Sequence, residues 1–97
     1  MMTTSQERVE KEIIPQLHCL NREVLTNDEK IKQRKELLHR AMVLGNAFHT
    51  NARIVFQTRE GQKEVTTTIW AVTDRNTILK GGIAIPVCCI SDVLMNA

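Results

Sequence analysis

Aromatic residues are scarce in this chain of 97 residues, which has two phenylalanines, one tryptophan and no tyrosine. Proteins that bind single-stranded nucleic acid stack bases on aromatic side chains, so this composition argues against such a platform. No apolar run approaches the roughly 18 residues of a transmembrane helix. The N-terminal residues carry acidic charge where a signal peptide would need an apolar core. We therefore expect a cytoplasmic protein that does not associate with membranes.

Cysteine is also sparse, and two of the three cysteines, Cys88 and Cys89, are adjacent. A disulfide between neighbours closes a strained ring, which leaves only Cys19 as a distant partner, so reduced thiols are expected. His18 and Cys19 are metal-ligand residue types as well. The chain has no Cys-x-x-Cys or His-x-x-x-His spacing, which would let one element present two ligands to one zinc ion. We expect no metal site and no cofactor.

Patterns typical of catalysis are missing too. Gly81-Gly82 indicates a turn, because the G-x-x-x-x-G-K pattern of a phosphate loop is absent. A cysteine nucleophile would need a neighbouring histidine and an oxyanion site, and the sequence around Cys88 and Cys89 indicates neither. The formal net charge of +2 is too small to indicate a polyanionic partner by itself. The sequence predicts a protein that is not an enzyme.

The first part of the chain has helical periodicity. Residues 4–7, Thr-Ser-Gln-Glu, form a capping box. An apolar stripe follows at intervals of three or four residues, which predicts a first helix: Val9, Ile13, Leu17, Leu20 and Val24. Pro15 lies inside this stripe, so the helix is expected either to kink there or to begin again there.

A second capping box, Thr26-Asn-Asp-Glu29, predicts another helix from about Asn27 to Leu44, with Gly45-Asn46 as a left-handed stop. Apolar residues also recur every seven positions, at Leu17, Val24, Ile31 and Leu38. This spacing is compatible with a coiled coil, with an antiparallel helical hairpin, or with paired helices at a dimer contact.

The second part reads as five short strands, at residues 53–58, 63–73, 77–80, 83–86 and 90–94. Turn residues separate them, and Gly61 supplies the positive backbone angle of a tight hairpin between the first two strands. The second strand has apolar residues on both faces, which is typical of a bent strand serving two sides of a barrel or of a flat sheet covered by helices. We predict a single α+β domain spanning 1–97, with a helical pair (1–45) packed on a small, mostly antiparallel sheet or barrel (52–95).

This order of elements, with its long second strand, the turn before Thr77-Ile-Leu-Lys-Gly-Gly and the final Ile90-Ser-Asp-Val-Leu, resembles the Sm-like and SH3-like small barrels. The resemblance covers about half of the chain and lies in strand lengths and turns. In the bacterial Sm-like RNA chaperone, a tyrosine, a lysine and a histidine after the fourth strand contact RNA. The corresponding stretch here, Pro86-Val-Cys-Cys89, has none of them, so that RNA role does not carry over. The whole chain also looks like short bacterial proteins of unassigned function.

Two surfaces are candidates for binding. The densest basic cluster lies on the second predicted helix and would make two or three phosphate contacts to RNA or DNA: Lys30, Lys32, Arg34, Lys35 and Arg40. The alternative is a solvated helix face with local ion pairs to Glu29 and Glu36. The second surface is Thr66, Thr68 and Trp70, which would display hydroxyls beside an aromatic ring, although strand propensity alone explains threonines there.

These patterns predict a binding or regulatory module that acts through protein-protein interaction. A homo-oligomer is expected, because the apolar stripe of the first helix and the open edges of a small sheet need cover. The alternative is an Sm-like module that binds RNA or DNA through the basic cluster. The two differ in salt dependence, since only phosphate binding weakens steeply as the salt concentration rises.

Overall fold

A computed structural model describes residues 7–95 of the chain. Within this range there is one α-helix, α1 (Asp28–Phe48), and two short 3-10 helices, Lys11–Gln16 and Val87–Cys89. The strands are β1 (Glu7–Arg8), β2 (Ala52–Thr58), β3 (Gly61–Thr67), β4 (Ile69–Val72), β5 (Asn76–Leu79), β6 (Ala84–Pro86) and β7 (Ile90–Met95). The predicted α+β class is confirmed. A helix of the length and apolarity needed to cross a bilayer is not found in this part of the chain.

The strands form two sheets, one with the order β1-β3-β2-β7 and one with the order β4-β5-β6. All neighbouring strands are antiparallel except β1 and β3. The predicted hairpin is confirmed, because β2 pairs with β3 along its whole length and Gly61 has a φ of 113° at the turn. The long second strand of the prediction is divided at Thr68, where the chain leaves the first sheet and enters the second. The two sheets therefore share one continuous, bent segment.

The first predicted helix is wrong for the residues that the structure describes. Its capping box begins at residues 4–6, which lie outside the described range, and Glu7 belongs to β1. Pro15 sits in the 3-10 helix Lys11–Gln16, where the missing proline N–H is compatible with a single short turn. Residues 17–26, which we call the strap, then cross the sheets without forming a helix, and Cys19 makes an isolated β-bridge to Thr58.

The strap is held by hydrogen bonds to segments that are distant in sequence instead of to itself. The Leu20 N–H donates to the Gln57 carbonyl oxygen of β2 (3.1 Å), and the Val24 N–H donates to the Cys88 carbonyl oxygen of the second 3-10 helix (2.9 Å). Backbone donors that find such partners do not need the hydrogen bonds of a helix. The apolar stripe of this segment therefore packs against the core in an extended form, and the predicted helical pair is reduced to α1 alone.

Helix α1 begins where the sequence predicts and ends later. Its N-cap is Asn27, whose side-chain oxygen accepts from the N–H groups of Glu29 (2.8 Å) and Lys30 (3.4 Å). The helix continues past Gly45 and ends at Phe48, and its C-cap residue His49 has a left-handed backbone with a φ of 57°. Gly45 has a different role: a β-carbon built there would lie 2.9 Å from the Ile69 carbonyl oxygen. Glycine at this position lets the helix backbone approach β4 closely.

The core lies between α1 and the two sheets. Every element except β1 contributes fully or almost fully buried side chains, and these form one contiguous cluster: Ile14, Leu38, Ala41, Ala52, Ile54, Phe56, Val65, Ile69, Leu79, Ile85, Cys89, Ile90 and Val93. Parts of the strap, including Cys19 and Leu20, pack against this cluster. The strap thus covers one side of the core.

Candidate functional site

The basic cluster of α1 does not form one continuous surface. Lys30, Lys32, Lys35 and Arg40 are exposed, whereas Arg34 is only 6% exposed. At 3.6 residues per turn, Lys30 and Lys32 point about 160° apart, and Lys35 and Arg40 about 140° apart. The exposed cations are therefore spread around the solvent side of the helix.

Arg34 is part of an internal clamp. Its Nη1 donates to Glu23 Oε2 (2.6 Å) and to the Ile90 carbonyl oxygen (3.0 Å), and its Nη2 donates to Glu23 Oε1 (2.7 Å). The two parallel contacts to one carboxylate are the bidentate geometry that suits a guanidinium group. Hydrogen bonding from Arg34 holds the pKa of the Glu23 carboxyl below its usual range. This clamp joins α1 to the strap and to the start of β7.

The sequence contains a signal that Arg34 is buried, although the basic cluster by itself does not reveal it. Arg34, Leu38, Ala41 and Gly45 are spaced by four, three and four residues, which places them on one helical face, and all four are buried. An arginine that shares the core-facing stripe needs a buried partner. The sequence alone does not identify Glu23 as that partner, because the strap is not helical.

An open cavity of about 430 Å³ lies beside the clamp. The cavity is lined by residues of the strap, α1, the β4–β5 turn, the end of β6 and the second 3-10 helix: Asn21, Glu23, Arg34, Asp74, Arg75, Asn76, Pro86, Val87 and Cys88. The Nε of Arg34 is buried and has no hydrogen-bond partner among the described residues. The cavity thus presents both signs of charge. From its sequence, the segment Asp74–Asn76 that lines this cavity is predicted only to form a turn.

Trp70 lies on the second surface that the sequence singles out. In the ladder between β4 and β5, Ile69 faces Leu79 and Ala71 faces Ile78, so the register shifts at Trp70, as at a β-bulge. Successive side chains of a strand point to opposite faces, so Trp70 points away from the side that Ile69 occupies. Ile69 is fully buried, while Trp70 is 48% exposed. The only tryptophan of the chain is therefore directed toward solvent.

The neighbouring threonines divide between surface and interior. Thr66 is exposed on β3, whereas Thr68 is buried and donates from Oγ1 to Asn51 Oδ1 (3.0 Å). The structure therefore displays one of the two predicted hydroxyls. Thr68 instead stabilises the point where the chain passes from one sheet to the other.

Helix α1 supplies the rest of the surface around Trp70. The side-chain amide of Asn46 donates to the Trp70 carbonyl oxygen (3.2 Å). Met42 and Val43 precede Asn46 by four and three residues, so they lie beside it on the helix surface, and Val43 is 47% exposed. We call Met42, Val43, Asn46 and Trp70 the Trp70 surface. It combines an aromatic ring, aliphatic side chains and an amide on two packed elements.

Two of the three thiols, those of Cys19 and Cys89, interact beside the start of β7. The Cys89 thiol donates to the Pro86 carbonyl oxygen (3.2 Å), and the Cys88 thiol donates to the Leu20 carbonyl oxygen (3.8 Å). The interaction with Cys89 lowers the pKa of the Cys19 thiol, whereas the interaction with Cys19 and burial raise the pKa of Cys89. No group of three or more potential metal-ligating side chains able to hold an ion is found within residues 7–95.

Comparison of the chain with known protein families, curated proteins and solved structures gave no match. The clamp, the cavity and the Trp70 surface are the structural features that bear on the function.

Proposed function

We propose that this protein is a small, non-enzymatic, cytoplasmic binding module that recognises a protein partner through the Trp70 surface. The observation that carries the proposal is the exposure of the only tryptophan, which is 48% exposed at the register shift in β4 while the residue before it is fully buried. Tryptophan is enriched among the residues that dominate protein interfaces, because its ring buries a large apolar area with little loss of conformational entropy.

The scaffold that we propose for this surface is a small barrel of the SH3-like or Sm-like kind. Three features support it: β2 pairs with both β3 and β7, a bent segment joins the two sheets at Thr68, and a 3-10 helix lies between β6 and β7. Small barrels present binding residues on loops and strand ends around a rigid core. The Trp70 surface lies at such a point, where a strand and a helix meet.

Self-association is a second candidate, and a different observation favours it. Among the described residues, β1 and β7 are the end strands of one sheet and β4 and β6 those of the other, so each is paired on one side only. End strands of this kind can pair with another chain by adding backbone hydrogen bonds. We propose that a homo-oligomer uses the edges of β6 and β7, and not the edge of β4, and so leaves the Trp70 surface free.

Nucleic-acid binding through α1 is less favoured than protein binding. Arg34 is committed to Glu23 and to Ile90, so it is not available to a phosphate. The remaining exposed cations are distributed around the helix and not along one backbone-tracking stripe. Lys32 and Lys35 are the pair to change in a test of this alternative, because both are exposed.

The test is recovery of partners by tagged protein from native lysate after nuclease treatment, with Trp70→Ala compared against Ile13→Ala. The two side chains are similarly exposed, at 48% and 42%, and lie on different elements. Loss of a central aromatic typically costs an interface about 2 kcal/mol or more, which is roughly 30-fold in affinity. We expect a protein partner that Ile13→Ala retains and Trp70→Ala loses.

Equal recovery by Trp70→Ala and wild type would contradict the proposal. Recovery of nucleic acid that Lys32→Glu with Lys35→Glu abolishes, and that salt weakens, would support the alternative instead. Recovery of the chain itself, with light scattering showing a multimer for both wild type and Trp70→Ala, would support the edge-strand candidate.

A further inference from the structure

Cys19 and Cys89 meet because two segments share one edge of β2. Strand β7 occupies this edge as far as Ile90, which faces Phe56. Next to Phe56, the strap pairs with the same edge of β2. Cys19 forms a β-bridge with Thr58, and the Leu20 N–H donates to the Gln57 carbonyl oxygen (3.1 Å). Cys89 directly precedes β7, so the two cysteines lie where one segment ends and the other begins. The two thiols interact with each other across this junction, and the Cys89 thiol donates to the Pro86 carbonyl oxygen (3.2 Å).

Cys88 is placed differently although it adjoins Cys89. Its carbonyl oxygen accepts from the Val24 N–H (2.9 Å), and its thiol donates to the Leu20 carbonyl oxygen (3.8 Å). A bond from Cys88 to Cys89 would form the strained ring of adjacent cysteines. Cys19 and Cys89 are the pair that meets along the edge of β2, so Cys88 serves as a comparison within the same chain.

We propose that Cys19 and Cys89 are a modification site at which a hydroperoxide forms a reversible disulfide that fixes the strap to the start of β7. This inference is independent of the function proposed for the Trp70 surface. It concerns a covalent change within the chain and needs no partner.

The chemistry takes two balanced steps. The Cys19 sulfur, as thiolate, attacks one peroxide oxygen, so that an S–O bond forms, the O–O bond breaks, and the departing hydroxide becomes water by taking up a proton from solvent. The Cys89 sulfur then attacks the Cys19 sulfenic acid, so that an S–S bond forms, the S–O bond breaks, and hydroxide leaves with the Cys89 proton as water. Two thiols are oxidised by two electrons, and one hydrogen peroxide is reduced. An external dithiol reverses the bond by exchange.

The environments of the two sulfurs suit these roles. Cys19 is partly exposed, whereas Cys89 is fully buried. The interaction with Cys89 lowers the pKa of Cys19, which favours the thiolate that reacts with peroxide. The raised pKa of Cys89 keeps its proton in place until the second step. The accessible sulfur is thus the attacking group and the buried sulfur is the resolving group.

The test is titration of the reduced protein with hydrogen peroxide, followed by alkylation of free thiols, trypsin digestion without reductant and mass spectrometry. Cleavage after Lys11, Arg22 and Lys80 places Cys19 in peptide 12–22 and the other two cysteines in peptide 81–97. We expect these peptides to be joined, with Cys88 alkylated and the fragment ions assigning the bond to Cys89. Dithiothreitol should restore both peptides.

Variants separate the pair from its neighbour. Cys88→Ser should keep the cross-link, and Cys19→Ser should lose it, together with the increase of several degrees in Tm that oxidation gives the wild type. Because Cys89 is a core residue, the fragment ions of the wild type and not a Cys89 variant decide which sulfur is used. A bond through Cys88, a disulfide-linked dimer on a non-reducing gel, or oxidation of Cys19 to sulfinic acid without a cross-link would each overturn the proposal.

Discussion

Replacing Arg34 with alanine removes the centre of the clamp that joins α1, the strap and β7. The change deletes three hydrogen bonds, two to the Glu23 carboxylate and one to the Ile90 carbonyl oxygen. It also removes the aliphatic stem of a side chain that is only 6% exposed. Arg34→Ala is therefore expected to destabilise the whole fold, even though the substituted residue is charged and alanine favours helices.

The magnitude follows from what each partner does after the substitution. The Glu23 side chain is 35% exposed, so its carboxylate regains water and the lost ion pair costs only about 1 kcal/mol. The Ile90 carbonyl is buried and loses a charged donor, which costs about 1 to 3 kcal/mol. Together these losses predict destabilisation by roughly 2 to 4 kcal/mol. For a domain of this size the corresponding fall in Tm is roughly 10 to 25 °C.

The assay is urea unfolding followed by the fluorescence of Trp70, the only tryptophan of the chain. Lys35→Ala is the matched control, because it removes a neighbouring but exposed cation from the same helix and should change the free energy of unfolding by less than about 0.5 kcal/mol. If Arg34→Ala and Lys35→Ala unfolded at the same urea concentration as the wild type, the clamp would not be stabilising the fold.

Two further expectations concern the helix and the acidic limb of the stability profile. Gly45→Ala should destabilise by about 1 to 3 kcal/mol in urea titrations, despite a gain of about 1 kcal/mol in helix propensity, because its β-carbon would lie 2.9 Å from the Ile69 carbonyl oxygen; unchanged stability would mean that α1 can shift away from β4. Glu60 accepts from the backbone and ring of His18, which lowers its pKa to about 2. A lowered pKa stabilises the folded state above the ordinary value of 4.5 and loses this effect as the pH falls toward 2, so Glu60→Gln should flatten the dependence of Tm on pH in that window. Identical profiles for Glu60→Gln and wild type would refute this assignment.

The β half follows from local turn chemistry, and the sequence predicts it well for that reason. Gly61, Gly81 and Gly82 all have positive φ values, at 113°, 91° and 88°. Each is found where the pattern requires a turn. Hairpins are specified by residues that lie close together in sequence, so their turn residues can be recognised from the sequence alone. Apolar residues on both faces of the second strand are compatible with a bent strand or with a flat covered sheet, and the division at Thr68 corresponds to the first of these alternatives.

The strap and the sites depend on partners that are remote in sequence. Its apolar spacing fits a helix, yet its backbone donors find acceptors on β2 and next to β7, and Pro15 weakens the helical alternative. The bulge at Trp70 and the meeting of Cys19 with Cys89 both follow from strand register. Register is a property of the assembled sheet, so neither feature has a signature in the order of residues alone.

The close approach of α1 to β4 has a consequence for molecular recognition. At Gly45 the helix backbone lies close to the Ile69 carbonyl oxygen of β4 and to the Thr68 side chain, and one residue later Asn46 is hydrogen-bonded to the Trp70 carbonyl oxygen. Two elements joined in this way have few alternative arrangements. A partner that covers the tryptophan therefore meets a surface that is already organised, and little of the binding free energy is spent on ordering it.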